Sequence, residues 1–168
     1  MKINVIGGGT WGTTLACLLS KTSEVQVWQR NKNSQISQTR KHPNLKDYTI
    51  PENISFTSDL DSLDFNNLTI LAIPSHAIGD ILSKCDLRKG QYLIVSKGFD
   101  PGSTSLLSDI FQNTYDVDLN NIAVLSGPNH AEEIISGMAS ATVIASTNQN
   151  YAKELQSLFS SDTFRVYT

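Results

Sequence analysis

Apolar positions fall along this chain in two periods that alternate from one end to the other. Ile3, Val5 and Ile6 form a short apolar run, and after a glycine cluster Trp11, Leu15, Leu18 and Leu19 recur at helical spacing. The pattern predicts strand, turn and helix within the first twenty residues. Glu24 to Trp28 (EVQVW) alternates as a second strand, and a weakly patterned helix follows over about 33 to 41. Beyond Pro51, Ile54 and Phe56 mark another short strand. Leu68 to Ile73 (LTILAI) is almost continuously apolar, as a central parallel strand covered on both faces should be. Pro74 stops it, Ser75 is placed to cap a helix, and Ile78, Ile81 and Leu82 give that helix its apolar face.

Tyr92 to Val95 predicts a further buried strand. Asp100, Pro101 and Gly102 make a turn into a helix expected over Ser103 to Asn113, and Ile122 to Leu125 reads as the next strand. Strand 140–146, helix Asn150 to Ser160 and strand Phe164 to Tyr167 complete the series. Strands alternating with helices in this way predict an α/β fold, a Rossmann-type doubly wound and mostly parallel sheet, with residues 1–168 forming a single domain.

The chemistry concentrates where strands hand over to helices. Gly7, Gly9 and Gly12 fit G-x-G-x-x-G: the first allows a tight turn, the second lets backbone approach a pyrophosphate, the third lets helix pack close to strand. Free N–H groups at the positive end of the helix dipole would hold the phosphates. A plain turn is the competing account of any glycine cluster, but the strand before it and the helix after it favour dinucleotide binding. An NAD-specific site usually carries an acid at the end of the second strand, and here none occurs between Glu24 and Asp47. Arg30, with Lys32, is placed to meet a 2′-phosphate or to stack on adenine, the alternative being a solvated basic turn. Pro74, Ser75 and His76, and then Ser96, Lys97 and Gly98, follow strands and so belong at the ligand edge of the sheet. Lys97 there suits an anionic substrate or a cofactor phosphate. The loop Ser126 to Glu133 reaches the same edge, with Asn129 and Glu132 spaced as a capping box. His42 has no partner at ligand spacing and reads as a surface histidine.

Composition narrows the class. At 168 residues and 39% hydrophobic content the chain can bury a real core, yet it is short for a complete two-substrate dehydrogenase. A net charge of -3 with scattered basic residues gives no nucleic-acid surface. Cys17 and Cys85, both on expected helices and far apart, read as buried reduced thiols, which favours a reducing compartment. The N-terminal apolar run is too short for a signal peptide and no stretch is long enough to span a bilayer, so a cytoplasmic protein is expected.

The stretches GGGTWGTTLA, VWQR, AIPSHAIG, SKGF, LSGPNHAEEI, ATVIAS and FRVYT, in this order, resemble the N-terminal half of the bacterial type of NAD(P)-dependent glycerol-3-phosphate dehydrogenase. The resemblance implies NAD(P)H as cofactor and reversible hydride transfer with dihydroxyacetone phosphate, giving sn-glycerol 3-phosphate for phospholipid synthesis. It implies cofactor contacts at Gly7, Gly9, Thr10, Trp11, Gly12, Arg30, Pro74, Lys97 and Ala131, and substrate contacts at Lys97, Gly127 and Asn129. Gly8 stands where the family commonly has Ala, and Asn129 where it often has Ser or Thr. The family's catalytic lysine and its C-terminal helical domain come after the FRVYT-like strand, so no catalytic residue is assigned before Thr168 and no metal is expected. Apolar surface facing that further domain would favour self-association, for instance as a homodimer. A non-catalytic, redox-sensing dinucleotide module is the alternative of a different class.

Overall fold

The computed structural model describes residues 1–31, 35–83 and 85–168. Eight strands form one sheet: β1 (Lys2–Ile6), β2 (Glu24–Trp28), β3 (Ile54–Thr57), β4 (Leu68–Leu71), β5 (Gln91–Ile94), β6 (Ile122–Ser126), β7 (Ser140–Ser146) and β8 (Phe164–Tyr167). Their spatial order is β3-β2-β1-β4-β5-β6-β7-β8. The first six run parallel; β7 is antiparallel to β6, and β8 is parallel to β7. Strand order reverses at β1, where β2 pairs on one side and β4 on the other, Ile6 lying opposite both Trp28 and Leu71. This is the expected doubly wound α/β sheet, and its switch point lies at the carboxyl end of β1.

The helices are α1 (Thr10–Leu19), α2 (Gln35–Thr39), α3 (Ile78–Leu82), α4 (Leu107–Tyr115), α5 (Ala131–Ile135) and α6 (Gln149–Phe159). Side chains alternate across the parallel strands to fill two cores. Ile3 and Val5 of β1 join Leu15 and Leu19 of α1 and Leu155 and Phe159 of α6 on one face. Ile6 points the other way, with Leu71, Ile78 and Leu82 of α3 and Phe111 of α4. Tyr92 is fully buried in that second core, its ring centroid 5.2 Å from that of Phe111 and its hydroxyl donating to the Leu87 carbonyl at 2.7 Å. No helix among the described residues is long and apolar enough to cross a membrane.

Several local expectations are corrected. Ser75 does not cap a helix; it opens a short 3-10 turn, Ser75–Ala77, that leads into α3 after extended Pro74 (φ -56°, ψ 141°). The helix expected from Ser103 starts at Leu107, because the Asp100 carboxylate accepts from both the backbone N–H and the hydroxyl of Ser103 at 2.8 Å, holding a turn instead. Thr104 then sits in the left-handed region at φ 58°, which no helix continues through. The helix after β2 ends at Thr39, with Arg40 left-handed at φ 57°. Cys85 lies beyond α3 and is only half-buried, whereas Cys17 is buried in α1, where burial pushes its thiol up to about 12 against the opposing hydrogen bond from Tyr48. His42 is not a surface residue but buried, at 8% exposure.

Candidate functional site

A crevice of about 920 Å³ opens at the carboxyl ends of β1, β4, β5 and β6, on the switch point. One wall is the turn from β1 into α1, where Gly7 adopts φ +123°. A Cβ on Gly7 would collide with the Ala72 carbonyl, and one on Gly12 would collide with the Gly7 carbonyl, so both positions are closed to any side chain. Gly9 differs: a Cβ there meets nothing within 4 Å. Its backbone borders open space. The Gly7 N–H donates to Trp28 O at 2.9 Å, and the first bond of α1 runs from Thr13 N–H to Gly9 O at 2.9 Å. Thr10, Trp11 and Gly12 therefore carry N–H groups that the helix itself does not use, with no side-chain cap on Gly9 and no acid in the first turn. An open Gly9 face beside an uncapped helix start fits a pyrophosphate.

The remaining walls come from the later strands. Pro74, Ser75 and His76 follow β4; Ser96, Lys97 and Gly98 follow β5, with the Ser96 hydroxyl donating to Leu71 O at 3.0 Å and Gly98 at φ +94° turning the chain. The Lys97 side chain is exposed at the crevice. Opposite the glycine turn stands the loop from Ser126 to Glu132. Asn129 does not form the expected capping box. Its side-chain N–H donates to Ala141 O at 2.9 Å, tying the loop to β7, and α5 starts after His130 with no side-chain cap. Thr142 Oγ1 donates to Ser126 O at 3.1 Å, and a Cβ on Gly127 would lie 2.8 Å from Asn129 Oδ1 and 2.9 Å from Thr142 Oγ1. Ala131 is buried, and its carbonyl accepts from Thr14 Oγ1 at 3.4 Å.

Thus Gly9, Thr10, Trp11, Pro74, Lys97, Gly127, Asn129 and Ala131 line a single cavity, while Gly7 and Gly12 shape its glycine turn from behind. Arg30 is exposed just past β2 and does not line it; Lys32 lies outside the described residues. Gly8 is covered by Gln29, whose Oε1 would be 3.0 Å and whose Cβ 3.2 Å from an added Cβ, so Ala at this position needs Gln29 to give by a few tenths of an ångström. Among the described residues no group of three or more His, Cys, Asp or Glu is placed to hold a metal ion.

Sequence reasoning missed the segment from Arg40 to Ile50. Burial lowers the pKa of the His42 imidazole, with Glu132 in the crevice wall acting weakly in the opposite direction. The imidazole Nδ1 accepts from the Asn44 backbone N–H at 3.1 Å, and the Asn44 side chain donates to Thr10 Oγ1 at 3.0 Å. Nothing in the polar stretch around them has a period that signals such contacts.

A doubly wound sheet with a glycine turn and an uncapped helix start at its switch point defines a dinucleotide-binding domain of the Rossmann type. A sequence profile described as the NAD-dependent glycerol-3-phosphate dehydrogenase N-terminus matches residues 2–152. The chain is 38% identical over 175 residues to the NAD(P)+ glycerol-3-phosphate dehydrogenase of Halothermothrix orenii, covering 99% of this chain and 50% of that protein. It is 33% identical to the enzyme of the same name from a Thermoanaerobacter species, with 99% and 52% covered. The crystal structure of glycerol-3-phosphate dehydrogenase from Coxiella burnetii superposes with a TM-score of 0.87 at 27% identity, covering 99% of this chain and 53% of that one. The chain belongs to the NAD-dependent glycerol-3-phosphate dehydrogenase family and matches its N-terminal part. It spans about half the length of the curated relatives it matches.

Proposed function

We propose that this chain is the cofactor-binding part of an NAD(P)-dependent glycerol-3-phosphate dehydrogenase, acting between dihydroxyacetone phosphate and sn-glycerol 3-phosphate in glycerophospholipid synthesis. The observation that carries this reading is one cavity that joins the open Gly9 face and the α1 N-terminus to Lys97 and the Gly127–Asn129 loop. When bound, the nicotinamide supplies or accepts the hydride. The protein's share is placement. The N–H groups of Thr10 and Trp11 hold the pyrophosphate at the positive end of α1, and Pro74 bounds the crevice beside it. Lys97 offers an ammonium to a phosphate of the cofactor or the substrate. Gly127 lets a substrate approach the backbone, and Ala131 closes the wall behind it. Asn129 reaches this wall with one amide N–H given to Ala141 O, which leaves its second N–H for a substrate oxygen. Arg30, outside the cavity, serves the adenosine end.

Two free thiols fit a cytoplasmic, reducing setting, and the exposed Val143 and Tyr167, paired across β7 and β8, offer apolar surface for a homodimer. Family membership and the Lys97 and Gly127 wall favour the dehydrogenase over a redox-sensing module. Titration with NADPH and NADH, followed by the fluorescence of Trp11 in the crevice wall, tests the reading. Saturable binding of either cofactor supports it, and no binding of either overturns it.

A further inference from the structure

Thr10 is the first residue of α1, so the carbonyl four residues back from it lies outside the helix. A threonine deeper in a helix donates to the carbonyl four residues back, but Ile6 belongs to β1 and its carbonyl accepts the Ala72 N–H at 2.8 Å. A hydroxyl has one proton to give and lone pairs to receive with. Asn44, with a side-chain amide that donates to Thr10 Oγ1 at 3.0 Å, occupies the receiving side. The proton is left for another acceptor, next to an uncapped helix N-terminus and the open face of Gly9, where a negatively charged oxygen fits best.

Asn44 is itself exposed, so it is held in place by its surroundings rather than by its own packing. Its backbone N–H donates to the buried His42 ring, and the next residue, Leu45, is buried and donates its own N–H to His42 O at 3.0 Å. The segment is closed at its base by the Lys41–Thr49 bridge and by Ile50 N–H to Arg40 O at 2.8 Å. Arg40 in turn donates to Ile54 O at 2.6 Å, fastening the base to β3. Asn44 is thus presented to α1 by a braced loop. We propose that Asn44 is a positioning residue for the cofactor pyrophosphate: by donating to Thr10 Oγ1, it directs the Thr10 hydroxyl proton to a phosphate oxygen. This rests on the dinucleotide reading given above.

A double-mutant cycle in NADPH affinity, with melting temperature measured alongside, tests it. Asn44→Ala is expected to weaken binding about three- to tenfold, on the scale of one charge-assisted hydrogen bond partly lost, and Thr10→Val by about tenfold. The double variant should bind no worse than Thr10→Val, because Asn44 acts through the Thr10 hydroxyl. Asn44→Asp should weaken binding more than Asn44→Ala, since a carboxylate accepts that proton and repels the phosphate. A loop staple with no part in binding would lower the melting temperature without this coupling. Unchanged affinity in Asn44→Ala, or equal losses in the presence and absence of Thr10→Val, would overturn the proposal while leaving the dinucleotide reading intact. Failure of the unsubstituted protein to bind NADPH or NADH would overturn that reading and this proposal with it.

Discussion

Gly9 and Gly12 of the first turn do different physical work, and substitution separates them. At Gly12 even one methyl group collides with the Gly7 carbonyl, a backbone atom that cannot step aside. Gly12→Ala is expected to cost about 1–3 kcal/mol or more of stability by overpacking, read as a lower midpoint in urea. At Gly9 the added side chain meets open space and the backbone (φ -74°, ψ 179°) suits any residue, so Gly9→Val should fold with little loss of stability. It should nevertheless bind NAD(P)H far more weakly, because the valine occupies the space proposed for the pyrophosphate. A folded Gly9→Val protein with unchanged affinity would remove this turn from the site. Arg30 makes a finer distinction. With no acid in its place, Arg30→Ala should weaken NADPH more than NADH, through loss of a charge-assisted contact to the 2′-phosphate. Equal losses for the two cofactors would point to stacking on adenine instead.

At the scale of elements, the strands were legible either as dense apolar runs that two covering layers demand, as in Leu68–Leu71, where every residue is buried, or as alternation with one buried face, as in Phe164–Tyr167. The glycine turn was legible because its spacing follows from close backbone approach, of Gly12 to the Gly7 carbonyl and of Gly7 to the Ala72 carbonyl, which the fold always brings together at this turn. Much of what the sequence hid depends on contacts between segments. Asn129 and Glu132 have capping-box spacing, but β7 runs antiparallel beside the loop and offers the Ala141 carbonyl, which takes the Asn129 amide. Asp100 captures Ser103 locally and delays α4, a competition that apolar periodicity does not register. The loop carrying His42 shows the largest gap, its burial arising from packing rather than from any pattern of its own. That burial has a testable consequence. The folded pKa of His42 is lowered below the ordinary 6.5, chiefly by desolvation, with Glu132 opposing. Between those two values the unfolded chain binds the extra proton, so the stability this neutral ring allows is complete above about pH 6.5 and is lost as pH falls toward the folded value. Urea midpoints measured from pH 7.5 down to 5 should fall more steeply for the parent than for His42→Asn, which cannot titrate. Parallel slopes would show that His42 does not contribute to this dependence.

For the molecule as a whole, the topology places Gly9, Thr10, Lys97, Gly127 and Asn129 in one crevice, yet the chain corresponds to about half of each curated relative. Hydride transfer needs more than a held nicotinamide. The receiving carbonyl must be fixed against it and given a proton, and those two effects supply much of the rate. Lys97 is exposed on the crevice wall and suited to an anion, while the resemblance of this sequence to its family puts the proton-handling lysine after the last strand. These 168 residues are therefore expected to bind NADPH but not to oxidise it with dihydroxyacetone phosphate. The same domain joined to the second half of a relative such as the Halothermothrix orenii enzyme should turn over. In the joined protein, Lys97→Ala should raise KM for the phosphate-bearing substrate with little change in kcat, because an anion contact made alike in the ground and transition states is lost. The measurement is the decay of NADPH absorbance with and without dihydroxyacetone phosphate for both proteins. Robust turnover by the 168 residues alone, abolished by Lys97→Ala, would place the proton-transfer group within this crevice and make Lys97 the residue that carries it.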